Sequence, residues 1–454
     1  MKSYLAKPSN WTDAIVEKKI MTTAYRSHRY LRLLQECKGS DELDKLLAPK
    51  YEALPPMLSF TAPWTEEAID ERWRLTRAST ESRKSVADPV SIEERRDYRR
   101  NIENYIGTVK MPVGLAGPLR VNGLFAQGTY YVPMATHEAA LVASYSRGMQ
   151  LMSEAGGCSA MVVNEGVSRA PGFVFRNLVE VGKFTAWALE SVHDFACVTE
   201  TTSGHCRLSD MSAMVEGNHV YLNFEFITGD ASGQNMVAIA AHAICDYINA
   251  QSPVKPYQYF VEANFSGDKK ACAKSHLTVR GRKVVVESII PSELVNKYLH
   301  TTPALMADYW RISSVGGVMS GSVGVQGHFA NGLAALYIAC GQDVACVSES
   351  ATGITRLELT PEGHLYSSVT MPNIIVGTVG GGTKLPSHKT CLEIMGLAGE
   401  GHSRALAEIC AAVCLAGELS IIGSLCANDF TRAHAVLARR ARAPSAFIQP
   451  ESVT

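Results

Sequence analysis

The run from Ala405 to Ala427 constrains this chain more than any other stretch, because it is long, almost wholly apolar and yet carries Glu408 and Glu418. A bilayer-spanning helix needs about 20 largely uncharged residues. Two glutamates inside the run therefore predict a helix buried in the interior of a globular protein. Composition supports that interior, with 46% of the 454 residues hydrophobic and 43 basic residues set against 44 acidic ones. Such a length accommodates two or three domains. A formal net charge of -1 supplies no basic field, which argues against nucleic acid or an anionic membrane as the main partner and leaves room for a local anion site.

The segment from Met1 to Lys19 is polar and aromatic without the apolar centre of a signal peptide, so a cytoplasmic protein is expected. The twelve cysteines form no Cys-x-x-Cys pair and no zinc-like spacing with histidine. They predict reduced, buried thiols and no metal site.

Residues 1–101 form the most charged part of the chain and read as a helical arm or cap. Ser91-Ile92-Glu93-Glu94 resembles a capping box that opens a helix through Arg100. From Tyr105 the composition shifts to Gly-rich turns and β-branched runs, beginning at Met111-Pro112-Val113-Gly114. Between about Pro171 and Glu262, His219 to Phe226 alternates as a strand does and Gln234 to Ile248 reads as an Ala-rich helix. That pattern predicts a compact α/β insert within a larger domain. Lys283 to Glu287 reads as a strand, Leu333 to Ala339 and Arg404 to Ala416 as helices, and residues 427–454 as a mobile tail.

Five segments carry side chains suited to chemistry. Asn264-Phe265-Ser266-Gly267-Asp268-Lys269-Lys270 sets two ammonium groups beside a carboxylate in a turn, an arrangement that can hold and polarise a carboxylate-bearing carbonyl substrate or can be a solvated turn. Glycines in Gly377-Thr378-Val379-Gly380-Gly381-Gly382-Thr383 let backbone N–H groups approach a phosphate, without matching a Walker loop or a dinucleotide fingerprint; a tight turn reads the same way. Asp230-Ala231-Ser232-Gly233-Gln234-Asn235-Met236 precedes a helix whose N-terminus can receive a pyrophosphate, or else Asp230 is simply its N-cap. Glu138 stands at the start of an apolar helix, and Asp343 follows an apolar run in Gly341-Gln342-Asp343, where a partly buried carboxylate needs a cation.

Taken together with Glu103-Asn104-Tyr105-Ile106-Gly107, Met111 to Gly114 and His434, these segments occur in the order found in 3-hydroxy-3-methylglutaryl-CoA reductases, over about Glu103 to Arg439. The chain most resembles the catalytic domain shared by eukaryotes and archaea, as a soluble form without a membrane anchor. This resemblance implies an α+β fold: a large domain (102–170 and 262–426) around a long central helix, with a small ferredoxin-like cofactor domain (171–261) inserted. It implies a homodimer or homotetramer with shared active sites. It also implies reduction of the thioester by two hydride transfers through a hemithioacetal and an aldehyde to mevalonate.

By resemblance, Lys269 polarises the carbonyl, Glu138 relays protons, Asp343 lies between the two and tunes them, and His434 in the tail protonates the leaving CoA thiolate. Arg169, Asp268 and Lys270 would meet the substrate, with Asn264, His328 and Asn331 at site positions and Ser144 and Arg147 toward CoA. Asp230, Gly233, Gln234, Asn235, Met236, Ser203 and Gly380, Gly381 and Gly382 would hold the dinucleotide.

Four residues, in three segments, depart from the family pattern. Ser232 and Gln234 stand where the cofactor turn carries methionines. Gly204 in Thr202-Ser203-Gly204 replaces the arginine that meets the 2′-phosphate of NADPH, which opens the cofactor choice to NADH unless His205 or Arg207 compensates. Glu262 in Glu262-Ala263-Asn264 replaces a small serine beside the substrate and would repel an anionic acyl group unless a cation pairs with it. Two further readings follow: the same reduction on a different 3-hydroxyacyl-CoA, and a catalytically silent CoA- or nucleotide-binding regulator.

Overall fold

A computed structural model describes residues 39–428, apart from 54–55 and 59–62, together with Arg32 and Glu36. Four short helices lead the described chain: α1 (Ser40–Leu47), α2 (Glu66–Arg74), α3 (Thr80–Lys84) and α4 (Pro89–Glu93). The expected capping box at Ser91 is corrected. Asp88 is the N-cap of α4, accepting from the Val90 and Ser91 N–H groups with Pro89 in the first turn, and Ser91 falls inside the helix. An Asp cap followed by proline is the stronger start signal, and past Glu93 only a 3-10 turn at Glu94–Arg96 follows. Arg72 ties this region to the segment that leads into the sheet, donating 2.8 Å to the carbonyl of Tyr105, whose ring stacks on Trp64 and Tyr98.

An antiparallel hairpin of β1 (Val113–Gly123) and β2 (Gln127–Ala135) is followed by α5 (Leu141–Glu154). Next, β3 (Cys158–Arg169) runs parallel to β1 through its first residues, and with its last three pairs to a different part of the sheet. That second part contains β4 (Gly172–Val174), β5 (Arg207–Glu216), β6 (His219–Ile227) and β7 (Gln258–Phe260). Helices α6 (Leu178–Glu190), α7 (Val192–Thr202) and α8 (Gln234–Gln251) belong to the same stretch of chain. A separate core of Phe173, Phe184, Phe195, Phe224 and Ile244 fills the space between them.

The chain then returns to the first part of the sheet with β8 (Gly281–Ile290), followed by α9 (Ser292–Leu299), α10 (Pro303–Ser320), β9 (Gly324–Val325), α11 (Phe329–Ala339), α12 (Val347–Ser350), β10 (Gly353–Leu359) and β11 (Leu365–Ile374). Strands β3, β8, β11 and β10 are antiparallel neighbours in that order. After α13 (Pro386–Ile394) comes α14 (Ser403–Cys426), the apolar run that constrained the fold.

Residues 405–420 of α14 are buried without interruption. The helix is long and apolar enough to cross a membrane, yet 83% of its most apolar window is buried inside the fold. Its two glutamates are satisfied by protein. Glu408 accepts from the N–H groups of Phe125 at 2.9 Å and Ala126 at 2.7 Å in the β1–β2 turn. Glu418 accepts from Gly327 at 2.7 Å and His328 at 2.8 Å. All eleven cysteines among the described residues are free. Burial pushes the Cys158 and Cys245 thiols up to about 12, which leaves them unreactive as thiolates.

Candidate active site

The loop between β7 and β8 carries the Asp-Lys-Lys triplet, and three of its residues are left-handed: Asn264 at φ 64°, Gly267 at 77° and Lys269 at 55°. This twist turns successive side chains in different directions. Lys269 Nζ lies 2.8 Å from Asp343 Oδ2, and the hydrogen bond to that carboxylate raises the ammonium above its ordinary value. The apolar helix α11 ends at Ala339, four residues before Asp343, and Lys269 is the cation this carboxylate was expected to need. Lys270 donates 2.7 Å to the carbonyl of Asp268 and remains exposed.

Asp268 faces inward. Burial alone would raise its carboxyl, but Arg280 and Arg169, the latter at 3.1 Å, outweigh burial and hold it below the ordinary carboxylate value. Arg169 is itself buried and also meets Glu262 at 3.5 Å. The cation that Glu262 requires is therefore the residue expected to grip the substrate carboxylate, and its charge is already shared by two acids. Arg280 and the fully buried Glu349 complete the group at 2.7 Å.

Glu138 is corrected on one point. It precedes α5 rather than opening it, separated by a left-handed Ala140 at φ 70°. Its carboxylate accepts 2.7 Å from the Asn331 amide, and among the described residues no hydrogen bond or ion pair joins it to Lys269 or Asp343. Asp343 thus does not bridge the two within one chain. His328 stacks on Tyr145 at 5.1 Å, both ring nitrogens buried without a hydrogen-bond partner. Ser144 and Arg147 point to α14: the Ser144 hydroxyl lies 2.9 Å from that of Ser420, and Arg147 donates 2.8 Å to the Ser420 carbonyl. Asn264 is exposed at the loop edge. His434 lies outside the described residues.

A cavity of about 440 Å³ is lined by Gly233, Gln234, Asn235, Met236, Asp343 and Gly380, Gly381 and Gly382. The N-cap of α8 is Gly233, with no side chain closing the helix end, so its N–H groups are available to an anion. Gly380 and Gly381 have positive φ and open space around them. These features fit a dinucleotide phosphate.

The family model described as hydroxymethylglutaryl-coenzyme A reductase matches residues 68–439. The chain belongs to this family. The 3-hydroxy-3-methylglutaryl-coenzyme A reductase of Pyrococcus abyssi is 42% identical over 358 residues, 77% of this chain and 87% of the relative. That of Methanocaldococcus jannaschii is 38% identical over 356 residues, with coverage of 77% and 87%. The class II 3-hydroxy-3-methylglutaryl-CoA reductase of Streptococcus pneumoniae, solved with NADPH in open conformations, superposes with a TM-score of 0.57 at 18% identity, covering 81% of this chain and all of that one. That likeness shows a shared mixed α+β fold.

Within this reductase fold, Asp230 does not cap α8. Its carboxylate accepts 2.7 Å from Gly401 N–H and 2.7 Å from the Ser403 hydroxyl, at the start of α14. Burial would raise its carboxyl, and these bonds prevail and lower it. Ser203 ends α7, its hydroxyl accepting 3.2 Å from His205 N–H. Arg207 is engaged with Glu200 at 2.9 Å. Sequence reasoning missed Arg280 and Glu349. Two arginines, at 280 and 282, flank the glycine that opens an otherwise Val-rich strand, and that was the available signal for buried cations.

Proposed function

We propose that this chain reduces 3-hydroxy-3-methylglutaryl-CoA to mevalonate and CoA with a nicotinamide cofactor, in the cytoplasm, in the synthesis of isoprenoid precursors. The observation that carries this reading is the Lys269–Asp343 pair, held at 2.8 Å with Asp343 on the wall of the glycine-lined cavity. Gly233, Gln234, Asn235, Met236 and the Gly380 to Gly382 run would hold the cofactor, which when bound supplies hydride.

Lys269 donates a hydrogen bond to the substrate carbonyl and stabilises the negative charge that grows on its oxygen. In a site shielded from water one such donor is worth on the order of 3–4 kcal/mol of barrier. Asp343 keeps the ammonium charged and aimed. Glu138, oriented by Asn331, moves protons to the reduced oxygen. Because Glu138 stands apart from Lys269 within one chain, the reading includes a site completed between subunits of a homodimer or homotetramer. The exposed apolar residues Ile312, Val315, Val318 and Met319 on α10 support such association. His434, outside the described residues, protonates the departing thiolate. Residues 171–261 serve as the small, ferredoxin-like cofactor domain, and α14 as the central helix of the large one.

The cofactor is NADPH, with NADH admitted by Gly204. A second reading, the same reduction on another 3-hydroxyacyl-CoA, is favoured by one observation: Arg169 is shared between Glu262 and Asp268, which weakens its hold on a substrate carboxylate and leaves that task to Lys270. The test is oxidation of NADPH and NADH by the purified protein with a panel of acyl-CoA thioesters. Mevalonate from the 3-hydroxy-3-methylglutaryl thioester supports the first reading, and turnover confined to another thioester supports the second.

A further inference from the structure

One short stretch of chain grips Lys269 at three points. Asp343 Oδ2 takes the ammonium at 2.8 Å, the Ser348 hydroxyl lies 2.7 Å from the Lys269 carbonyl oxygen, and Glu349 Oε1 accepts the Lys269 N–H at 3.0 Å. All three side chains come from residues 343–349, a 3-10 turn running into α12. The lysine's head group, carbonyl and amide are thereby fixed to a single rigid element. Lys269 requires this, since a φ of 55° is a conformation that residues with a Cβ keep only when their surroundings impose it.

The grip is anchored deeper in the protein. Glu349 is fully buried, and its other oxygen receives Arg280 Nε at 2.7 Å. Arg280, 3% exposed, donates 2.9 Å to the Ser168 carbonyl on β3 and 2.6 Å to Gln234 Oε1 at the start of α8. The same guanidinium thus connects the lysine clamp to β3 and to the helix whose first turn borders the cavity.

We propose that Ser348 and Glu349 are positioning residues that hold the Lys269 backbone left-handed, so that its ammonium stays on Asp343 and faces the carbonyl to be reduced. This rests on the assignment of Lys269 made above. A different role for Glu349, neutralising Arg280 alone, assigns nothing to Ser348, which is exposed and whose hydroxyl, among the described residues, hydrogen-bonds the Lys269 carbonyl and the Ala345 carbonyl of its own turn at 2.9 Å. Ser348 therefore separates the two roles.

The experiment is steady-state kinetics on the full chain with 3-hydroxy-3-methylglutaryl-CoA and NADPH, comparing wild type, S348A, S348T, E349Q and K269A, alongside their unfolding temperatures. An ångström of misplacement costs about a hundredfold in rate. The clamp predicts kcat lowered about fivefold in S348A, restored to within about twofold in S348T, and lowered on the order of a hundredfold in E349Q. Both KM values should hold in S348A and S348T, because Ser348 bonds only backbone carbonyls of Lys269 and Ala345 and no side chain assigned to substrate or cofactor. S348A should unfold at the wild-type temperature, so it decides the matter even where E349Q fails to fold. An inactive K269A beside S348A with wild-type kcat overturns the clamp alone. Full turnover by K269A, or none by wild type, overturns the assignment beneath it.

Discussion

Replacing Arg280 with methionine removes the cation shared by two acids and two neutral oxygen acceptors. The guanidinium meets Glu349 at 2.7 Å, Gln234 Oε1 at 2.6 Å and the Ser168 carbonyl at 2.9 Å, and it also pairs with Asp268. Asp268 keeps Arg169, so the loss falls mainly on Glu349, which has no exposure to water. Removing one partner of a buried pair costs about 3–5 kcal/mol, because the other charge is left in a medium of low polarisability. With an unfolding entropy of about 2.1 cal/mol/K per residue, ~4 kcal/mol lowers Tm by roughly 4 °C in a chain of this length. The sign of the pH dependence follows from burial. Burial raises the Glu349 carboxyl above its ordinary value even with Arg280 opposing it, and without the arginine it rises further. A folded value above the unfolded one makes the penalty full at high pH, progressively smaller as pH falls through the folded value, and absent below the unfolded value near about 4.3. Thermal unfolding of Arg280→Met and wild type, measured at about pH 8 and about pH 5.5, should show the smaller deficit at the lower pH. Adding Glu349→Leu should restore much of it. An equal or larger deficit at low pH would refute the claim that Glu349 is the stranded charge.

Cofactor choice turns on position 204, where a Cβ would meet nothing within 4 Å, so Gly204→Arg should fold normally and raise the NADPH over NADH ratio of kcat/KM by about tenfold or more; an unchanged ratio places the 2′-phosphate elsewhere. Glu262→Ser should release Arg169 and lower KM for the carboxylate-bearing acyl-CoA without a comparable effect on an uncharged acyl-CoA, as read in parallel initial-rate assays. A uniform KM across both substrates would remove Arg169 from carboxylate recognition. Asp230→Ala strips two acceptors from the first turn of α14 and should cost about 1–2 kcal/mol in urea unfolding. Full stability in that variant would mean that water replaces the cap.

How far the sequence could be read depended on how local the determining contacts are. The apolar run from Ala405 to Ala427 was legible as a buried helix, although the helical pattern itself was followed only from Arg404 to Ala416; it continues to Cys426 because Gly417, Glu418 and Ser420, which break that pattern, lie inward as well: Glu418 bonds the loop at His328, and Ser420 meets Ser144 and Arg147. A polar residue satisfied by a distant loop looks on paper like the end of a buried face. The Asp230 N-cap shows the same limit, whereas the Ser91 capping box yielded to a stronger cap only three residues away. Both motifs were sound as chemistry, but Asp88 takes the first helix start, and Asp230 serves a helix that begins at Ser403, far along the chain. Asp343 could be recognised as needing a cation because it follows an apolar run, whereas Glu349 sits in Val347-Ser348-Glu349-Ser350, where no spacing distinguishes a buried carboxylate from a solvated one. Its importance arises only when the fold brings Arg280 and the Lys269 amide to it.

The central claim is tested most directly by stoichiometry. Purified wild-type protein given limiting 3-hydroxy-3-methylglutaryl-CoA and excess NADPH should consume about two equivalents of cofactor for each mevalonate released, as two hydride transfers at one carbonyl carbon require, while Lys269→Ala releases none on the same timescale. Cofactor consumption without mevalonate, or mevalonate formed at the wild-type rate by Lys269→Ala, would contradict it.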